Sequence, residues 1–134
     1  MTIVVGYVPK PEGRAALRRA AEEAKLRGTR LIVINSNRGG RDLDAEENLR
    51  YEKELADVHE QLDRAGIQHE VRQLVRGLEP AEDLIAVAEE ETADFIVIGL
   101  RRRSPVGKLI LGSNAQRILL DAPCPVLAVK AEEG

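Results

Sequence analysis

The chain has 134 residues, 43% of them hydrophobic and 32% charged, with a formal net charge of −3. That composition belongs to one folded globular domain spanning residues 1–134 and excludes a disordered segment. Aromatic residues are 2% of the chain and Trp is missing, so the core is aliphatic and the stacking platforms of single-strand nucleic-acid binders are lacking. The negative balance argues against duplex binding too. Cys124 is the one cysteine, which excludes an intramolecular disulfide or a cysteine zinc cluster and fits a reducing compartment. No apolar run approaches the ~20 residues of a membrane span. The chain enters a strand directly with no charged leader, so a cytoplasmic location is expected.

In chain order, Thr2 to Tyr7 is a β-branched apolar run suited to a strand buried on both faces. Pro9 and Pro11 end it. Glu12 to Leu26 places Ala15, Ala16, Leu17, Ala20, Ala21 and Ala24 at helical spacing, and Gly28 stops that helix. Leu31 to Ile34 is a second buried strand, and Asn35 to Arg41 reads as a polar loop. Asp44 to Ala65 is a long amphipathic helix with Leu55, Val58, Leu62 and Ala65 on one stripe, ended by Gly66. Gln68 to Val75 alternates imperfectly, as a strand near a sheet edge does. Glu79 to Glu90 is a third helix with Pro80 in its first turn. Phe95 to Ile98 is a fourth strand, Ser113 to Leu120 a fourth helix, and Val126 to Val129 a fifth strand after Pro123 and Pro125. The last residues, Ala131 to Gly134, read as a frayed tail. Alternation of this kind builds a parallel sheet covered by helices on both faces. Its ligands sit beyond the strand C-termini where strand order reverses, which singles out the loops after the first and fourth strands.

The loop after the fourth strand carries the strongest chemical signal. Four cations (Arg101, Arg102, Arg103 and Lys108) fall within eight residues, followed by Gly112-Ser113-Asn114 at a helix start. A helix N-terminus offers unpaired N–H groups and a partial positive charge to an anion such as phosphate. The loop is not a P-loop: counting back from Gly107-Lys108, the first glycine would fall at Arg102, and Leu109 stands where Ser or Thr would hold magnesium. No dinucleotide fingerprint follows the first strand, and no G-x-S-x-G elbow occurs. His59 in a helix and His69 in an edge strand, far apart in sequence, read as surface residues rather than as a catalytic base or metal ligands. No residue set looks built for covalent or metal chemistry, so neither catalytic nor metal-binding residues are expected.

At this point the chain resembles the universal stress protein family over nearly its whole length. The family pattern after the fourth strand is Gly, two residues, Gly, nine residues, then Gly with Ser or Thr. Here the frame reads Gly99, two residues, Arg102, nine residues, Gly112-Ser113. Val106-Gly107-Lys108 and the terminal Ala122-Pro123-Cys124-Pro125-Val126-Leu127 are similar to the family as well. The resemblance implies a flavodoxin-like α/β three-layer sandwich of the adenine nucleotide alpha hydrolase type, with a five-stranded parallel sheet of order 3-2-1-4-5 and four helices. It implies ATP, or AMP or ADP, bound across the loops after strands one, two and four, with Mg2+ as accompanying ion. The implied nucleotide contacts are Gly6, Tyr7, Val8, Ser36, Ile98, Gly99, Arg101, Arg102, Arg103, Gly107, Lys108, Gly112, Ser113 and Asn114. A homodimer through the last strand is implied too. Pro125, Val126, Leu127, Ala128 and Val129 would form the contact, because an apolar edge strand has to be covered.

Two departures stand out. Arg102 replaces the second motif glycine, exchanging close backbone approach for a planar donor fork that suits phosphate. Val8 stands where nucleotide-binding members place an Asp near ribose and adenine, and Ser36 where an apolar residue commonly abuts adenine. Phosphate recognition therefore reads as intact and nucleoside recognition as weakened. Each site residue also has a plainer reading. Gly99 permits a sharp turn, Gly112 and Ser113 suit an ordinary N-cap, the arginines suit a solvated loop, and Lys108 can extend to water. Asn114 offers an amide to phosphate or sugar. Cys124, between two prolines, suits a small core position.

The expected function is adenine-nucleotide binding as a stress-response sensor or regulator, without efficient catalysis. No general base, water-orienting group or magnesium-holding set is in evidence, though slow ATP hydrolysis would be compatible. The partners expected are the nucleotide, a second copy of the chain and a regulatory protein of unknown identity, with no nucleic acid and no membrane. The alternative is a dimeric interaction module that has lost adenine recognition, with Val8 as its support.

Overall fold

The computed structural model describes residues 1–37, 45–101 and 111–131. Among them the elements run β1 (Thr2–Gly6), α1 (Pro11–Arg27), β2 (Arg30–Asn37), α2 (Ala45–Arg64), β3 (His69–Val75), α3 (Pro80–Glu90), β4 (Phe95–Leu100), α4 (Ser113–Asp121) and β5 (Val126–Lys130). The strands form one sheet in the order β3-β2-β1-β4-β5, and every neighbouring pair is parallel. This is the expected α/β sandwich, and β3 and β5 are its edges.

Side chains in β1 alternate between two cores, as the strand period of two requires. Ile3, Val5 and Tyr7 pack with Leu31, Val33 and Val97 under α1 and α2, where Ala16, Leu17, Ala20, Leu55, Val58 and Leu62 meet them. Val4 packs with Ile32, Ile34, Ile96 and Ile98 under α3 and α4, against Ala81, Leu84, Val87, Ala88 and Ile118. Ile3, Val4, Val5, Ile32, Ile96 and Val97 have no exposed surface, so the central strands read as continuous apolar runs because both faces are covered.

One sequence expectation is corrected here. Asn35 and Ser36 were expected in a loop, but β2 continues through Asn37, with Asn35 opposite Gln73 and Ser36 opposite Leu74. Both are buried, and their polar ends have internal partners. Asn35 Nδ2 donates to Tyr7 O at 3.0 Å, and Ser36 Oγ donates to the Asp83 carboxylate. A polar side chain satisfied in this way can occupy a strand that its hydropathy disfavours. The segment 38–44, the basic stretch 102–110 and the tail 132–134 lie outside the described residues.

The start of α1 fits against the sheet through two glycines. A Cβ on Gly13 would lie 1.9 Å from Val8 O, and one on Gly99 would lie 1.9 Å from Glu12 O. Backbone, not a movable side chain, fills both spaces. Gly13→Ala is therefore expected to cost about 3 kcal/mol or more, at the upper end of overpacking penalties. Urea unfolding checks this, and an unchanged midpoint would show that the β1–α1 connection can yield.

Candidate functional site

Parallel strands end together, and the helices that follow them begin nearby. At the C-terminal ends of β1, β2 and β4 the protein has a cleft with two chambers. The inner chamber, about 130 Å³, is lined by Gly6, Tyr7 and Val8 after β1, Ile34 and Ser36 of β2, and Ile98 and Gly99 of β4. Glu12 and Gly13 of α1, Pro80 and Leu84 of α3, and Asn114, Ala115 and Ile118 of α4 complete it. The outer chamber, about 380 Å³, adds Lys10, Leu100, Arg101, Gly112 and Ser113. Val8, Glu12, Pro80, Gly99, Asn114 and Ala115 belong to both walls. The cleft lies over the junction of β1 and β4, the point in the sheet where the strand order reverses.

Three helices begin at this cleft. Glu12 of α1, Pro80 of α3 and Ser113 of α4 all line it, and each sits in the first turn of its helix. First-turn N–H groups have no carbonyl partner within the helix and carry the positive end of its dipole. Gly112 is the N-cap of α4, in an extended conformation with no side-chain cap, so no side chain of the cap occupies that end. At α3 the side chain of Asn114 fills the role: its Oδ1 accepts from Ala81 N–H at 3.1 Å. Its Nδ2 amide is then the group left to donate. The inner chamber is mostly aliphatic, and the outer one brings Lys10 and Arg101 beside the α4 N-terminus. The arrangement suits a ligand with an apolar, flat end and an anionic end.

Every described residue of the expected nucleotide set lines this cleft, but not all of them face it alike. Tyr7 lines it while its side chain packs in the core under α1 and α2. Its N–H donates to Ile34 O at 2.8 Å and its carbonyl accepts from Asn35. Its hydroxyl donates to Glu54 Oε1 at 2.7 Å, on the α1–α2 side of the sheet. Glu54 Oε1 accepts from Arg14 Nε at 3.0 Å as well. Burial, and then the hydrogen bond to Glu54, push the Tyr7 phenol well above its ordinary pKa, so it remains a donor throughout the physiological range. Arg102, Arg103, Gly107 and Lys108 lie outside the described residues. Cys124 is half-buried next to the α3–α4 core. Burial, aided by Asp94, raises its thiol pKa, which suppresses the reactive thiolate.

Three features escaped sequence reasoning. Glu12, in the first turn of α1, lines both chambers. Its signal was an acid placed directly after the first strand's turn. Asp83 is fully buried beneath the cleft. Its Oδ2 accepts from Ser36 Oγ, and its Oδ1 accepts from Arg76 Nε at 2.9 Å and from Arg76 Nη2 at 2.5 Å. Asp83 borders the Ala81–Leu84–Val87 stripe of α3, where an acid normally reads as the edge of the solvated face. The third feature lies at the other end of the sheet: His59 and His69, expected apart, stand with Nδ1 and Nε2 2.7 Å from each other. The turn at residues 65–68 folds β3 back along α2 and brings them together.

Comparison with known proteins agrees with this geometry. The sequence model of the Universal stress protein family matches residues 1–130. A universal stress protein of Mycolicibacterium smegmatis is 48% identical over 128 residues, covering 96% of each chain. Among solved structures, a universal stress protein from Archaeoglobus fulgidus superposes with a TM-score of 0.83 at 40% identity, covering 97% of this chain and 98% of the other. An Archaeoglobus fulgidus universal stress protein in complex with dAMP matches at a TM-score of 0.76 and 34% identity, with the same coverage.

The Asp83 cluster generates a measurable asymmetry. Arg76→Gln leaves a buried carboxylate with one neutral donor, whereas Asp83→Asn leaves an amide whose oxygen still accepts. The arginine substitution is expected to cost about 3 kcal/mol, the lower end for a broken buried pair because Arg76 is 43% exposed. The Asp83→Asn change should cost about 1 kcal/mol. Denaturant midpoints of the two single variants and the double variant check this. Equal single losses would remove the asymmetry, and losses that add in the double variant would show that the two residues do not act as a pair.

Proposed function

Because the chain belongs to the universal stress protein family, we propose that its cleft binds an adenine nucleotide, ATP with Mg2+ or its AMP and ADP counterparts. In this reading the protein acts as a stress-response sensor or regulator rather than as an efficient enzyme. The observation that carries the reading is the two-chamber cleft at the strand-order reversal, aliphatic within and flanked outside by Lys10, Arg101 and the open α4 N-terminus. The dAMP complex of a relative at 34% identity supports the same ligand class. The base lies in the inner chamber and the phosphates at Gly112-Ser113, with Arg101 and the following basic stretch supplying countercharge.

Val8 offers no acceptor to a ribose hydroxyl, but Glu12 lines the same two chambers. We assign to Glu12 the sugar-binding part that the carboxylate after β1 plays in nucleotide-binding relatives. Regulation rather than turnover follows from the available side chains. Ser36 and Asp83 are engaged with each other and with Arg76, and Glu12 is the one carboxylate among the described lining residues. A lone carboxylate committed to the sugar leaves no base among the described lining residues to activate water at the phosphates.

Calorimetric titration of nucleotide-free protein with ATP and Mg2+, and separately with AMP, tests the reading. A micromolar dissociation constant is expected, about −8 kcal/mol. Glu12→Gln should weaken binding about tenfold, the worth of about 1.4 kcal/mol, and Val8→Asp should strengthen it by a similar factor. No saturation up to about millimolar nucleotide would overturn the reading and favour the alternative, a dimeric interaction module in which Val8 has removed adenine recognition.

Homodimerisation through β5 belongs to the same proposal. β5 is an edge strand whose Val126, Leu127 and Val129 are half-exposed, and an unpaired edge of this kind recruits a second copy. Sedimentation should give a dimer mass, and Ala128→Arg, at an exposed position within the strand, should give a monomer. A monomeric parent protein would remove β5 from the proposal.

A further inference from the structure

At the end of the sheet opposite the cleft, α2 and β3 meet in a tight reversal. The N–H groups of Ala65, Gly66 and Ile67 return to the carbonyls of Gln61, Asp63 and Leu62 at 3.0–3.1 Å. The reversal sets His69, the first residue of β3, beside the last two turns of α2. There His59 and Asp63 are four residues apart and share a face. One ligand atom from each of His59, Asp63 and His69 can be chosen so that all lie within 4.8 Å of one another.

The hydrogen bonds fix how these groups present themselves. His69 Nδ1 is 2.8 Å from Ile67 O. A carbonyl can only accept, so Nδ1 carries the proton and Nε2 presents its lone pair. A backbone carbonyl orienting an imidazole in this manner is the usual outer support of a metal-ligating histidine. That lone pair points at His59 Nδ1, 2.7 Å away, and His59 Nε2 is 3.4 Å from Asp63 Oδ2. The rings are tilted by 58° with centroids 4.6 Å apart, so they converge edge to edge and do not stack. That contact can hold the proton of a neutral His59 Nδ1, donated to His69 Nε2, and loss of that proton would turn two lone pairs toward one metal ion.

We propose that His59, Asp63 and His69 form a binding site for one zinc-like divalent transition-metal ion at the junction of α2 and β3. A tetrahedral zinc ion with bonds of about 2.0–2.1 Å needs ligand atoms about 3.3 Å apart. With one ligand atom from each residue the three lie within 4.8 Å of one another, and rotation of exposed side chains closes the difference: His59 and Asp63 are 60% and 63% exposed. Two imidazoles and one carboxylate are a donor set for zinc, nickel or copper, whereas magnesium and calcium demand oxygen ligands. Three protein ligands leave the fourth position to water. The bound ion clips the C-terminal end of α2 to edge strand β3 and so stiffens that side of the sheet. The cleft plays no part in this, and nucleotide binding can fail without touching it.

The test uses tag-free full-length protein stripped with a chelator. Titration with Zn2+ against a chromophoric competitor should give one ion per chain with a micromolar dissociation constant. Cobalt substitution should give the visible absorption of a four-coordinate site. His59→Gln and His69→Gln should each weaken binding at least about tenfold, Asp63→Asn should weaken it less, and Cys124→Ser should leave it unchanged. Mg2+ and Ca2+ should not compete. Zinc should raise the melting temperature of the parent protein but not of the histidine variants, whose metal-free melting should match the parent. A stoichiometry well below one, or histidine variants that bind zinc as the parent does, overturns the proposal.

Discussion

The cleft exists because two peptide segments approach more closely than any side chain would allow. After β1 the chain turns at Val8 and packs the first turn of α1 back over the end of the sheet. Gly13 rests on the Val8 carbonyl, and the Glu12 carbonyl rests on Gly99 of β4. These contacts tie the neighbouring strands β1 and β4 at the point where the sheet reverses its strand order. They hold the α1 N-terminus beside the N-termini of α3 and α4. Gly99 thus has a packing duty that its place in a ligand-binding frame does not reveal. A residue can line a cleft and still be constrained first by what lies behind it.

Behind the inner chamber, the protein has settled a buried charge locally. Asp83 would be costly without partners, and it lies fully enclosed within α3. Arg76, from the β3–α3 connection, and Ser36, from β2, satisfy its two oxygens separately. The cluster joins the ends of β2 and β3 to α3 on one side of the cleft, much as Asn114 joins α3 to α4 on the other. Both devices use side chains where helix caps or loop backbone would otherwise serve. The effect is that the walls of the cleft are fixed by polar contacts of defined geometry rather than by apolar packing alone.

Most of the fold was legible because the strands that matter are buried on both faces. Runs such as Ile3-Val4-Val5 and Ile96-Val97-Ile98 have no other plausible home in a chain of this length, and the helix stripes between them are regular. What was not legible is tertiary in origin. The polarity of Asn35 and Ser36 marked a loop, but Tyr7 O and Asp83 supply the partners that allow a strand there, and both partners are distant in sequence. Asp83 itself sits where an acid ordinarily faces water, and only Arg76 and Ser36 make its burial tolerable. Glu12 looked like a favourable first-turn acid, which it is, and its second role depends on α1 lying over β4. The two histidines were separated by ten positions and assigned to different elements. No pattern in either element foretells that a turn of four residues will bring their rings into register.

The polarity of a parallel α/β sheet places these two regions at opposite ends for one reason. Where strands end, helices begin, and their exposed N–H groups make that rim attractive to anions. Where helices end, strands begin, and unpartnered carbonyls make that rim attractive to cations. The cleft and its basic neighbours occupy the first rim. His59, Asp63 and His69 occupy the second, at the C-terminal end of α2, where the helix dipole adds to the carboxylate in favouring positive charge. A phosphate-bearing ligand and a metal ion would each sit where the backbone field already favours its charge. Between them, Ile3, Val4 and Val5 of β1 and Ile96 and Val97 of β4 are apolar and fully buried, and among these described residues there is no polar path. Occupancy at one rim can therefore influence the other through movement of whole elements but not through a relay of side chains.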